Sequence, residues 1–251
     1  MTFSIEIREK DGLLTLHFES GSVQGAMRIW HPFDLVLEYT IEMVAALLLR
    51  DASSFPRNVL LIGLGAGSHA KFLYRHCPQA HLTAVEIEPR VVEAARTHFK
   101  LPDDPARLSI VIGDGAEYLR THGETYDLIL VDGFNEYGHP GDLNTLPFYQ
   151  ACRKHLSDQG LLAVNLIGLC HNYKGGFAYI ETAFDNRAVL FPRCKSGNTI
   201  AFAATGEPID LSLDELKERA QALETRTGLA LLPIVARLDE TNGCQGGRLR
   251  I

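Results

Sequence analysis

Three carboxylates and a run of alternate glycines are the residues of this chain whose types and spacing could do chemistry. Glu86, Asp114 and Asp132 each stand just past a short apolar run: His81 to Val85, Leu108 to Ile112 and Leu128 to Val131. Gly63, Gly65 and Gly67 follow a fourth run, Val59 to Ile62. Without side chains they permit positive φ and let the main chain approach a ligand closely. An ordinary tight turn would use the same residues; the position between a strand and a helix starting near His69 is what raises the pattern toward nucleotide binding. Each acid has a chemical reading and a plainer one. Glu86, about 20 residues past the loop, can accept from both hydroxyls of a ribose, each charged hydrogen bond contributing roughly 1.5 to 3 kcal/mol, or can stand solvated at a strand end. Asp114 can accept from the exocyclic amine of adenine, with Gly115 leaving room for the ring, and it is also good helix-capping chemistry. Asp132 precedes a loop carrying Phe134, Tyr137 and Pro140, which predicts a partly desolvated carboxylate of catalytic type or a plain turn Asp.

The elements that must position these groups are legible as alternating strands and helices. Strands are expected at 59–62, 81–85, 108–112, 126–131 and 161–167, with helices at 69–76, 90–99 behind Pro89, 116–121 and 146–155 between them. Successive strand–helix units require right-handed crossovers and a parallel sheet covered on both faces, and ligands of such sheets bind beyond the carboxyl ends of the strands. The glycine loop and the three acids all fall there. Ahead of this alternation, Phe3, Ile5 and Ile7, then Leu14, Leu16 and Phe18, then Val23 and Met27 repeat at a period of two around a Lys10-Asp11-Gly12 turn. They predict a small antiparallel β unit over residues 1–30, with 31–251 as the Rossmann-like nucleoside-binding catalytic domain. Ile41 to Arg50 reads as a helix under the sheet, with Ser53, Ser54 and Pro56 breaking the chain after it. Later, 179–184 should finish a helix, 188–191 and 199–204 form an antiparallel hairpin, and 213–227 a charged surface helix. The glycine-rich end from Asn242 is expected to be loose.

Composition bounds the function. A chain of 251 residues with 46% apolar and 22% charged residues can bury a sizeable core and is neither disordered nor fibrous. The net charge of −7, with no basic run, argues against a nucleic-acid or anionic-membrane partner and leaves a small cationic substrate compatible. Five scattered cysteines, Cys77, Cys152, Cys170, Cys194 and Cys244, without a C-x-x-C pair read as reduced thiols. The polar N-terminus lacks a signal-peptide pattern and no apolar run reaches about 18 residues, so a soluble cytoplasmic protein is expected. None of the ten histidines falls in an H-x-x-x-H spacing, so no metal is expected.

The segments VLLIGLGAGS, AVEIEP, IGDGAEYL, YDLILVDGF, Phe148-Tyr149 and LSDQGLLAVN together resemble the polyamine aminopropyltransferases, the spermidine synthase family. The resemblance is good from residue 58 to about 166 and thinner elsewhere, where Glu38-Tyr39, Glu42-Met43, Phe191-Pro192 and Ser196-Gly197 carry it. It implies an α/β fold with a Rossmann-like sheet of the AdoMet-dependent methyltransferase type, a small N-terminal β unit and a homodimer. It further implies decarboxylated S-adenosylmethionine as co-substrate and an amine acceptor such as putrescine. By position, Glu86 would hold the ribose, Asp114 the adenine, Asp132 would take the proton of the attacking amine, and Tyr39 would orient that amine.

The sequence departs from the family where the donor's aminopropyl group and the acceptor amine would lie. Ala66 stands where the glycine loop usually carries an Asp, Asn135 where a second acid follows the strand, and Thr40 where a Gln or His follows the tyrosine. Ala66 motivates one alternative, a methyltransferase using intact S-adenosylmethionine. The altered acidic loop motivates another, a non-catalytic nucleoside-binding homologue. The loop 133–145, with Gly133, Gly138 and Gly141 as flexible points, reads as a lid or a plain connection. As a lid it would offer Glu136 and Asp142 in place of the acid missing at Asn135. A small β unit leaves edges to be covered, so a dimer through residues 1–30 is expected.

Overall fold

Alternation at a period of two opens the chain as three antiparallel strands, β1 (Ile5–Lys10), β2 (Leu13–Phe18) and β3 (Val23–Arg28), paired in that order. The computed structural model describes residues 4–18, 21, 23–53, 55–135, 137–167 and 173–251; Phe3, Ser54, Glu136 and Cys170 lie outside them. The apolar segment after Leu37 forms α1 (Glu38–Val44) and tightens into a 3₁₀ turn, Ala45–Leu48. Every residue from Met43 to Leu49 is buried. The helix therefore starts three residues before the sequence expectation at Ile41.

The central alternation follows the expected order: β4 (Asn58–Ile62), α2 (Ser68–His76), β5 (His81–Glu86), α3 (Pro89–Thr97), β6 (Leu108–Ile112), α4 (Gly115–Thr121), β7 (Tyr126–Val131), α5 (Leu146–Lys154) and β8 (Leu156–Ile167). After α6 (Tyr173–Ala183), β9 (Ala188–Leu190) and β10 (Asn198–Ala204) complete a seven-stranded sheet in the order β6-β5-β4-β7-β8-β10-β9. The five strands from β6 to β8 are parallel, and β10 and β9 add on antiparallel. The chain moves outward from β4 through β5 to β6, then returns to place β7 on the other side of β4. That reversal is the topological switch point.

Successive residues of a strand face opposite sides, so a strand buried on both faces must be apolar throughout. Val59 and Leu61 of β4 enter a core shared with α1, α2 and the C-terminal helices. Leu60 and Ile62 enter a second core under α4, α5 and α6. A third, smaller core joins the N-terminal sheet to the rest of the chain: Leu16, Phe18 and Met27 pack with Ala66 of the glycine loop, Val91 and Ala94 of α3, and Phe99.

The C-terminus departs from expectation. Beyond β11 (Asp210–Ser212) and α7 (Leu213–Thr227), an unanticipated helix α8 (Leu232–Asp239) precedes β12 (Cys244–Gln245) and β13 (Arg248–Arg250). The end from Asn242 is therefore a hairpin, and β13 pairs on its other side with β11. Gly246 and Gly247, both at positive φ, form its two-residue turn. Leu249 and Ile251 carry the strand into the main core, and Ile251 exchanges backbone hydrogen bonds of 2.9 and 3.0 Å with Ile209. Among the described residues, no helix is long and apolar enough to cross a membrane.

Candidate active site

The glycine loop begins where β4 and β7 end side by side. Gly63 has φ of +90°, and a Cβ there would overlap the carbonyl of Asp132. The glycine thus brings the end of β7 against the loop, an approach fixed by Asp132 N donating to the Ile62 carbonyl at 2.8 Å. From the other side β3 presses on the loop. A Cβ at Gly65 would lie 2.9 Å from the Gln24 carbonyl, one at Gly25 would lie 2.5 Å from Cβ of Ala66, and Ser68 Oγ donates to the Ala26 carbonyl at 3.3 Å. Ala66 is 1% exposed beneath Gly25, so its methyl is packed away. Gly67, in the left-handed region, caps the start of α2.

Glu86 is 8% exposed. Its Oε2 accepts from Leu64 N at 2.9 Å and its Oε1 from Glu88 N at 3.0 Å. Burial raises its pKa, and these backbone donors oppose the rise. A carboxylate has about four lone-pair directions, so acceptor capacity remains for the hydroxyls of a ribose. Asp114 is the N-cap of α4, its Oδ1 accepting from Glu117 N at 2.8 Å. The capping role is therefore filled, and the residue stays exposed beside the glycine loop's side of the sheet. The space at Gly115 is taken by Ile62, into whose side chain a Cβ would run, and Leu143 stands next to it.

Two aliphatic residues that the sequence reading did not single out join these acids. Ile87 is 66% and Ile112 49% exposed, unusual for large apolar residues. Ile87 directly follows Glu86, and Ile112 is Glu86's partner across the β5–β6 ladder. They offer an apolar surface to a planar ring between the two acids. An isoleucine adjoining a strand-end carboxylate was the available signal.

Asp132, half-buried, is the centre of a second cluster. Its Oδ1 accepts from Asn165 Nδ2 at 2.8 Å; Asn165 Oδ1 accepts from Asn198 Nδ2 at 2.9 Å, and Ser196 Oγ donates to Asn198 Oδ1 at 2.7 Å. This chain runs from β7 across β8 to β10 and the loop before it. The Tyr39 hydroxyl hydrogen-bonds Asp132, and burial, then the Asp132 charge, push the phenol well above its usual pKa. The Tyr39 hydroxyl therefore keeps its proton and donates. His69, 8% exposed, lies within reach of the Asp132 charge, and its ring hydrogen-bonds the Thr40 carbonyl; burial lowers its pKa. Glu38 Oε2 accepts from Lys195 N at 3.2 Å, tying α1 to the same late loop. Asn165, a lone amide in an apolar strand, was the detectable signal of this network; His69 and Asn198 gave none.

The loop after Asp132 is folded. Asn135 Oδ1 accepts from Tyr137 N at 3.0 Å and His139 N at 2.9 Å, so the amide organises a local turn. A 3₁₀ turn, Gly141–Asn144, plants Leu143 against Gly133, where a Cβ would lie 2.6 Å from its Cδ1. Tyr149 Oη donates to Asn144 Oδ1 at 2.9 Å. Asp142 is exposed, and Glu136 lies outside the described residues.

A doubly wound sheet that gathers a glycine loop, a buried strand-end carboxylate and a hydrogen-bonded acid at its switch point defines a nucleoside-handling enzyme of the Rossmann-like, methyltransferase-type class. Residues 39–171 match the spermine/spermidine synthase domain. The chain is 34% identical over 247 residues to the polyamine aminopropyltransferase of Chromobacterium violaceum, covering 98% of this chain and 94% of that protein. Among solved structures, human methyltransferase-like protein 13 in complex with SAH is 27% identical, with a TM-score of 0.69 over 77% of this chain and 93% of that one. A spermidine synthase in complex with the transition-state analogue AdoDATO is 23% identical, with a TM-score of 0.63 over 89% and 80%, and shares the fold. This chain belongs to the spermine/spermidine synthase family. The family match and the nearly full-length relative stand with aminopropyl transfer, and neither supports the methyl-transfer or the non-catalytic alternative.

Proposed function

We propose that the chain transfers the aminopropyl group of decarboxylated S-adenosylmethionine to an amine acceptor, putrescine or another polyamine, and releases methylthioadenosine. The observation that carries this reading is Asp132, held by Asn165 and Tyr39 beside the glycine loop at the switch point. The backbone of Gly63, Gly65 and Gly67 lies along the donor, Glu86 accepts from its ribose, and Asp114 accepts from its adenine amine while Ile87 and Ile112 cover the ring. Gly115 keeps Asp114 close by letting α4 start against Ile62. Asp132 takes one proton from the acceptor ammonium, and Tyr39 orients the freed amine. Its lone pair forms the new N–C bond at the carbon beside sulfur as the C–S bond breaks, its electron pair passing to the sulfonium. No metal takes part. In this reading residues 1–30 are a small β unit, 31–251 the catalytic domain, and the protein acts as a cytoplasmic homodimer.

Mass spectrometry of products from decarboxylated S-adenosylmethionine and a panel of amines tests the reading. Methylthioadenosine should appear only when an amine is present. Asp132→Asn should lower kcat by about 10² to 10⁴, the usual contribution of a positioned base. Full turnover by that variant would remove the role, and amine-independent or absent release would remove the function.

A further inference from the structure

Near Asp132 stands a buried acceptor that none of the described residues satisfies. His69 Nε2 is buried and, among the described residues, has no hydrogen-bond partner. The ring's one hydrogen bond goes to the Thr40 carbonyl, which must use Nδ1–H; Nε2 is then the unprotonated nitrogen and can only accept. A buried polar atom without a partner is rare and calls for a ligand or a role. His69 lies in the first turn of α2 directly after the glycine loop, within reach of the Asp132 charge and hydrogen-bonded to the residue after Tyr39. The acid that the family resemblance leads one to expect on the acceptor side is missing: Asn135 spends its oxygen on the turn at Tyr137 and His139.

We propose that His69 is a positioning residue of the acceptor site, its Nε2 accepting an N–H of the amine while Asp132 accepts another. The inference rests on the amine-acceptor reading above and deepens it. A neutral acceptor paired with one carboxylate fixes the direction of the amine's lone pair and leaves a single site for its proton. Two carboxylates would hold the cation more tightly and compete for that proton. The surroundings fit this division of labour. Tyr39 donates to Asp132, Asn165 donates to Oδ1 of the same carboxylate, and His69 Nε2 stands beside them as an unpartnered acceptor among the described residues.

Three substitutions separate this from a structural role. His69→Phe keeps the ring and removes both nitrogens; His69→Gln places an amide oxygen near the position of Nε2; His69→Asn places its amide near Nδ1 and leaves the Nε2 position empty. Putrescine is titrated calorimetrically into protein saturated with methylthioadenosine, and KM and kcat are measured with decarboxylated S-adenosylmethionine and putrescine. His69→Phe and His69→Asn should weaken putrescine binding and raise its KM about tenfold or more, as expected for a lost hydrogen bond to a charged group, with methylthioadenosine affinity unchanged. His69→Gln should stay within about threefold of the parent, a difference below one such bond. Wild-type putrescine affinity in His69→Phe overturns the proposal. So does rescue by Asn and not Gln, a parallel loss of methylthioadenosine affinity, or failure of the parent to bind putrescine. A parent that binds putrescine yet releases no methylthioadenosine from the donor would instead sink the aminopropyl-transfer reading, and the binding arm would still decide on His69.

Discussion

Lys71 shows how strongly a single side chain can be set by its surroundings. It is 1% exposed, and its Nζ donates to the Phe99 carbonyl at 2.8 Å. Burial pushes its pKa down to about 7. In the unfolded chain the ammonium keeps an ordinary value near 10.4. Between about pH 7 and that value the unfolded state therefore binds a proton that the native state does not, and the free energy of unfolding rises with pH across the window. Lys71→Met should remove this dependence. On going from pH 7 to pH 9 the parent's Tm should rise relative to the variant by a few degrees, read by thermal unfolding of both proteins; parallel curves would show that Lys71 stays charged in the fold. The same scale sets the limit of sequence reading. Glu86, Asp114 and Asp132 were legible because each acid ends an apolar run. Asn135 reads as a substituted acid and turns out to organise a turn. His69 and Asn198 were silent because their partners, Thr40 and Asn165, lie 29 and 33 residues away in the chain.

Leu143 does the corresponding work for an element. Its two methyls fill the hollows left by Gly133 and Gly115, so Leu143 ties the 3₁₀ turn to the start of the loop after Asp132 and to the start of α4. Leu143→Ala should cost about 2 kcal/mol, the low end for a leucine truncation at this half-buried position, and should make 134–142 the first segment cut by a protease. Cleavage no faster than in the parent would show that the loop is held by other contacts. The strand–helix alternation was legible here because the central strands carry few polar residues to blur their apolar runs. The same apolar density placed the helix after Leu37 without its start. The C-terminal hairpin was missed for the opposite reason: strands of two and three residues carry no period, and the glycines of their turn resemble a loose end.

At the scale of the whole molecule, the N-terminal sheet is where assembly is expected. Among the described residues β1 pairs with β2 alone, and its free edge is a template for another strand. Sedimentation at micromolar concentration should give a dimer that residues 1–30 hold together; a monomer would refute it. The other end of that small sheet has a different neighbour. Gln24 and Gly25 of β3 lie directly on Gly65 and Ala66, so the glycine loop is clamped between the small sheet and the large one. A loop so clamped cannot be ordered by ligand without also stiffening the strand above it. In a dimer held through the free edge of β1, the partner would sit two strands from the β3 residues packed on the glycine loop, so the small sheet would link the subunit boundary to the nucleoside site of the proposed reaction.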